Sequence, residues 1–216
     1  MSLRWVRETL SARSAIYLQA AAVIVDVDDL LGDPFGRRGM PGADSVAEDD
    51  VEFAYIKATE GEDFIDDRFE ANWQAVQEAG LDRGAYHFFT LCTPGDDQAE
   101  NFLQVALPDS NALAPAVDLE LAGNCSARPP RSDVHSDLRN FIERVEDAWQ
   151  REVLLYLGDD FESFYEVREV LDRPLWLRRF LLRPRGDWAI WQLHGYATVE
   201  GVSGGVDLDV MRQPQE

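Results

Sequence analysis

Two acidic residues stand two apart within an apolar run, Ala116-Val117-Asp118-Leu119-Glu120-Leu121. The run has the composition of a buried strand. Side chains at i and i+2 of a strand leave on one face, with their Cα atoms roughly 6.5–7 Å apart. Two like charges held side by side away from water are costly unless they share a proton or engage a ligand. Two carboxyl groups with split proton affinities, one protonated and one ionised, are what cleavage of a glycosidic bond requires. The plain structural alternative is a strand end at which both acids simply reach solvent.

The elements that must position this pair are legible as alternating apolar runs and amphipathic segments. Strand-like runs fall at residues 22–27, 53–58, 84–89, 114–119, 153–157, 175–180, 188–193 and 206–210. Helical periodicity follows several of the early ones, over 67–79, 97–107, 132–149 and 161–171. Asp66 and Asp67 are candidate caps for the first helix, Gly80 its stop, and Ser132 a candidate N-cap for the third. After residue 172 the strands follow too closely for full helices between them. The predicted fold is therefore α/β: a single TIM-like (β/α)-barrel of eight strands that closes with a shortened helical layer. An open doubly wound sheet is the alternative, but no glycine-rich phosphate loop follows any of these runs. In a parallel barrel functional side chains gather at the C-terminal strand ends. The acids fall there: Glu60 past the second run, Asp118 and Glu120 at the fourth, and Asp207 on the eighth.

Composition narrows the function. The 216 residues carry a formal charge of −21, which excludes a general attraction to nucleic acid or anionic lipid and opposes non-specific adhesion to an anionic cell wall. No apolar stretch reaches the length of a membrane span. The N-terminus lacks the basic, apolar and small-residue succession of a secretory signal. His87, His135 and His194 form no ligand pair at helical spacing, so neither a metal nor a cofactor is expected. Cys92 lies five residues past His87 and Cys125 five past Glu120. On adjacent parallel strands both sulfurs would stand at one height, and a disulfide there would imply an oxidising, extracytoplasmic compartment. Two unrelated free thiols are the alternative.

A set of ordered motifs resembles one known family. Phe53-Ala-Tyr-Ile-Lys-Ala-Thr-Glu-Gly61 is followed by Gly80-Leu-Asp-Arg-Gly-Ala-Tyr-His-Phe-Phe89, Gln98-Ala-Glu-Asn-Phe102 and Asp118-Leu-Glu120. Pro174-Leu-Trp176, Trp191-Gln192 and Gly205-Val-Asp-Leu-Asp209 complete it. Over residues 51 to 212 the chain resembles the family 25 glycoside hydrolases, lysozymes of the N-acetylmuramidase type. The resemblance implies a barrel of eight strands and about five main helices, spanning residues 21–212 between an extension (1–20) and a short tail (213–216). It implies hydrolysis of the β-1,4 bond between N-acetylmuramic acid and N-acetylglucosamine, with peptidoglycan glycan strands as the partner and a monomeric enzyme. Glu120 matches the family's general acid, Asp118 the neighbouring carboxylate and Asp207 the acid on the last strand. Tyr86, Trp176 and Trp191 match aromatic positions near the sugar cleft, with Gln192, Lys57 and Glu60 beside them. The family's opening strand carries a further acid, matched by Asp26 in Ile24-Val25-Asp26-Val27-Asp28, with Asp33 as the other candidate. Residues 30–50 would then form a loop on the catalytic rim.

The pair also carries a mechanism of its own. A sugar with a 2-acetamido group can supply its amide oxygen as nucleophile, so the enzyme needs an acid over the leaving oxygen and a carboxylate to orient the acetamido group. The like charge of Asp118 would favour the protonated form of Glu120 near neutrality. Direct displacement by water remains the alternative. Several other residues have a packing explanation: Trp73 and Trp149 as core, His87 as a satisfied interior histidine, and Lys57 with Glu60 as a mutual ion pair. Two competing functions belong to other classes, a non-catalytic glycan-binding barrel with an altered N-terminal wall and an interaction protein with an acidic surface.

Overall fold

The computed structural model describes residues 21–25, 51–180, 182–197 and 206–212. Each of the eight predicted runs is a strand: β1 Ala21–Val25, β2 Val51–Glu60, β4 Asp82–Phe88, β5 Ala116–Leu119, β6 Leu154–Leu157, β7 Leu175–Arg178, β8 Ile190–Ala197 and β9 Val206–Met211. A short ninth, β3 Phe64–Ile65, folds back antiparallel on the end of β2. The helices are α1 Phe69–Glu78, α2 Gly95–Val105, α3 Arg131–Trp149 and α4 Asp159–Tyr165, followed by a 3-10 turn over Val167–Glu169. None of them is long and apolar enough to cross a membrane.

The chain forms two compact units, and the boundary between them passes through β2. One holds Lys57–Asp67 and Gly84–Arg178. Within it β4, β5, β6 and β7 run parallel, with Phe88, Asp118, Tyr156 and Trp176 in lateral register. Helices α2, α3 and α4 supply the connections that parallel strands require. The other unit holds the described parts of Met1–Ile56, Arg68–Arg83 and Arg179–Glu216. There β1 lies parallel to β2 but antiparallel to β9, and β9 is antiparallel to β8.

The expectation of an eight-stranded TIM-like (β/α)-barrel with about five main helices is thereby corrected. Strand directions are mixed, and the described residues contain four α-helices. The reason is chain length. Residues 198–205 alone separate β8 from β9, fewer than a parallel crossover needs, so the two pair antiparallel. Close spacing after residue 172 signals a reversal of strand direction rather than a thinner helical layer.

Two predicted caps also move. Helix α3 begins at Arg131 behind Pro130, and the Ser132 hydroxyl donates to Asp133 within the first turn. Helix α1 starts at Phe69 behind Arg68, with no side-chain cap from Asp66 or Asp67.

Periodicity explains the packing. One face of the β4–β7 sheet carries Val117, Leu119 and Leu155, all fully buried, together with His87, which stacks on Phe141 of α3 at 4.8 Å and meets Phe102 of α2 edge-on. Leu138, Ile142 and Val145 extend the same apolar stripe of α3. Trp149 is buried as expected and stacks on Phe102. Trp73 is half-buried beside Phe69, with the Arg83 guanidinium 4.3 Å from its ring centroid. Helices α2 and α3 approach closely at Gly95, whose N–H donates to the Asp137 carboxylate at 3.2 Å. A Cβ on Gly95 would stand 1.8 Å from the Asp137 carbonyl oxygen, which cannot yield as a flexible side chain would. Gly95→Ala should therefore part the two helices and destabilise the protein by about 1–3 kcal/mol in denaturant titration.

Candidate active site

In a parallel set the C-terminal strand ends line up. In the β4–β7 unit that edge collects Asp118 of β5 and Glu120 just after it, Tyr156 from β6, and Trp176 and Arg178 from β7. Asp118 and Glu120 leave the face opposite His87, as their spacing predicts. Both are partly exposed rather than sealed in the core. The Glu120 carboxylate accepts a hydrogen bond from Arg178 Nη1 at 2.5 Å, with 18% of its side-chain surface exposed against 32% for the arginine. The Arg178 guanidinium titrates above its ordinary value. Burial opposes this, but the neighbouring Tyr156, Glu120 and Asp160 together outweigh it.

Tyr86 and Trp176 share this edge but are buried, Trp176 meeting Tyr156 edge-on at 5.4 Å. They form a wall beneath the carboxylates rather than an exposed platform. Lys57 and Glu60 form the mutual pair predicted for them, at 2.9 Å, and the Lys57 ammonium lies over the rings of Phe64 and Phe88. Of the remaining candidates, Trp191, Gln192 and Asp207 belong to the other unit. Trp191 is buried, donates its indole N–H to the Arg179 carbonyl at 2.7 Å and meets Trp188 edge-on. Gln192 is buried and in register with Asp209. Asp207 is half-buried and in register with Ile24 of β1, and the backbone of Gly195 passes so close that a Cβ there would lie 3.4 Å from its carboxylate. Asp26, Asp33 and the loop over 30–50 lie outside the described residues. Among the described residues no group of three or more His, Cys, Asp or Glu side chains could hold a metal ion.

The loops behind the carboxylates are fastened at several points. Cys92 and Cys125 form a disulfide with Cα atoms 6.3 Å apart. Asn124 donates to the carbonyls of Phe89 and Glu120 and accepts from the Leu91 amide, which stitches the loop after β5 to the loop after β4. Gln98 donates to the Thr90 and Thr93 carbonyls, and its side-chain oxygen accepts from the Thr90 amide. That same oxygen can only accept, so His87 Nε2 carries the ring proton, and His87 Nδ1 accepts from the Thr59 hydroxyl at 2.8 Å. His87 is the satisfied interior histidine expected, not a catalyst. Asn124 and Arg178 escaped the sequence analysis because an amide in a loop and an arginine in an Arg-Arg pair carry no local signal. Asp209 is a third. It is completely buried, which its place at the end of the Gly205–Asp209 motif does not signal.

The family model for glycosyl hydrolases family 25 matches residues 42–204. The chain belongs to glycoside hydrolase family 25. Lysozyme M1 of Streptomyces globisporus is 30% identical over 76% of this chain. A family 25 glycosyl hydrolase from Bacillus anthracis superposes with a TM-score of 0.78 at 28% identity, covering 91% of this chain and 90% of that one. A bacterial lysozyme from Streptomyces coelicolor gives 0.75 at 25% identity, covering 90% and 92%. The uncharacterized protein YegX of Escherichia coli O157:H7 is 32% identical over 170 residues, and this family 25 chain spans 61% of its length.

Two measurements probe the scaffold. Burial lowers the His87 pKa from 6.5 to about 4, helped by Lys57 and opposed by the Gln98 hydrogen bond. Between those values the unfolded chain binds a proton that the folded chain refuses. Stability should thus fall as pH drops from 6.5 toward 4, by on the order of 3 kcal/mol. His87→Gln should remove that part of the pH dependence of thermal unfolding. The disulfide joins residues 33 apart, and Cys92→Ser with Cys125→Ser should cost about 2–4 kcal/mol, while unreduced folded protein shows no alkylatable thiol.

Proposed function

We propose that this chain hydrolyses peptidoglycan glycan strands at the β-1,4 bond between N-acetylmuramic acid and N-acetylglucosamine. The observation that carries the reading is the Asp118–Glu120 pair on one strand face at the C-terminal edge of four parallel strands, in a member of family 25. Glu120 acts as general acid, passing its proton to the glycosidic oxygen as that bond breaks. Asp118 orients the 2-acetamido group, whose oxygen attacks the anomeric carbon. By family resemblance, Asp207 and Asp26 are the further acids of the mechanism. Tyr86 and Trp176 support the sugar from below with Lys57 and Glu60 beside it, and by family resemblance Trp191 and Gln192 are further substrate-binding residues. The substrate places the enzyme outside the cytoplasm, in keeping with the disulfide. It works as a monomer, with the catalytic fold over residues 21–212.

Purified peptidoglycan incubated with the protein should release muropeptides that carry new reducing ends at N-acetylmuramic acid. Glu120→Gln should keep the fold and glycan binding while slowing release by about 10²–10⁴-fold. Near wild-type turnover in that variant would remove Glu120 from the role. Binding without release by the wild-type protein would favour the non-catalytic glycan-binding alternative.

A further inference from the structure

The lateral register of the parallel strands sets Leu119, Leu157 and Leu177 in one row. The next row is Glu120 just after β5, Gly158 after β6 and Arg178 on β7. Strands in a sheet lie about 4.8 Å apart, so Glu120 and Arg178 are separated by two strand spacings of backbone. The arginine reaches across the middle strand over Gly158. A Cβ at position 158 would stand 3.5 Å from Arg178 Nη2, 3.4 Å from the Leu119 carbonyl and 2.7 Å from the Asp160 carboxylate. The guanidinium therefore lies over Gly158, and its far end meets Glu120 at 2.5 Å.

We infer that Arg178 is a positioning residue that sets the proton equilibrium of Glu120, holding its carboxylate form down to acidic pH. This rests on the assignment of Glu120 as general acid. On this edge of the unit the other charged or titratable groups are Asp118 beside Glu120, Tyr156 on β6, Asp160 at the start of α4, Tyr86 on β4 and the Lys57–Glu60 pair at the end of β2. Asp118 opposes the arginine, because a like charge favours the protonated acid. Arg178 donates a charge-assisted hydrogen bond directly to a Glu120 oxygen, the stronger kind of contact. The balance falls to the carboxylate. A general acid must be protonated to work, and its protonated fraction falls as pH rises through its pKa. The arginine thus moves the alkaline limb of activity to lower pH. In exchange it steadies the carboxylate left after proton donation, which is the form that draws a proton from water in the next step.

The test measures Glu120 itself and activity separately. Carboxyl-carbon NMR of the wild-type protein, with the Glu120 resonance assigned through Glu120→Gln, should show Glu120 titrating at least one pH unit below its value in Arg178→Met. Arg178→Lys should restore most of the difference. In peptidoglycan hydrolysis the ratio of kcat/KM at pH 7 to that at pH 5 should rise about tenfold in Arg178→Met. An unshifted Glu120 titration in folded Arg178→Met overturns the inference. Arg178→Gln, which keeps a hydrogen-bond donor without the charge, serves the same purpose if the methionine variant does not fold. A shifted titration with no hydrolysis by any form leaves the ion pair standing and removes the catalytic reading.

Discussion

Two like charges on one strand face must be balanced by something close, and much of the β4–β7 unit follows from that need. Strand β5 brings Asp118 and Glu120 to the same edge, where a carboxylate pair without compensation would repel and drive one group to protonate. Arg178 supplies the compensation from two strands away, its guanidinium passing over Gly158. The ion pair is only partly buried, so its contribution to folding is small. Its weight is chemical. We infer that it favours the carboxylate form of Glu120.

A site of this kind tolerates little drift, and the loops behind it are held accordingly. The disulfide, the hydrogen bonds of Asn124 to Phe89, Leu91 and Glu120 and the Gln98 amide tie the segments after β4 and β5 to each other and to the strand ends. Beneath them Thr59, His87 and Gln98 form a buried polar chain with its donors and acceptors matched. That chain has a cost. A neutral histidine enclosed among Phe102, Phe141 and the sheet resists protonation, so acid weakens the scaffold.

The strand faces, the element positions and the family were legible in the chain itself, because each depends on short-range periodicity or on ordered local motifs. Period-two alternation placed Asp118 and Glu120 together. The equal offsets of Cys92 and Cys125 past neighbouring strands anticipated their bond. Strand direction was not legible in the same way. The spacing after residue 172 was seen, but a helical layer was kept where an antiparallel β8–β9 hairpin forms.

What the sequence by itself determined is therefore the inventory of elements, the face each side chain takes and the membership of family 25. Tertiary structure alone decided which residues meet across strands. Arg178 reaches Glu120 over a separation of 58 residues, and nothing near either one signals the other. Their meeting depends on the register of three parallel strands. Register is a property of paired backbones, set by the packing of whole elements, and no single segment encodes it.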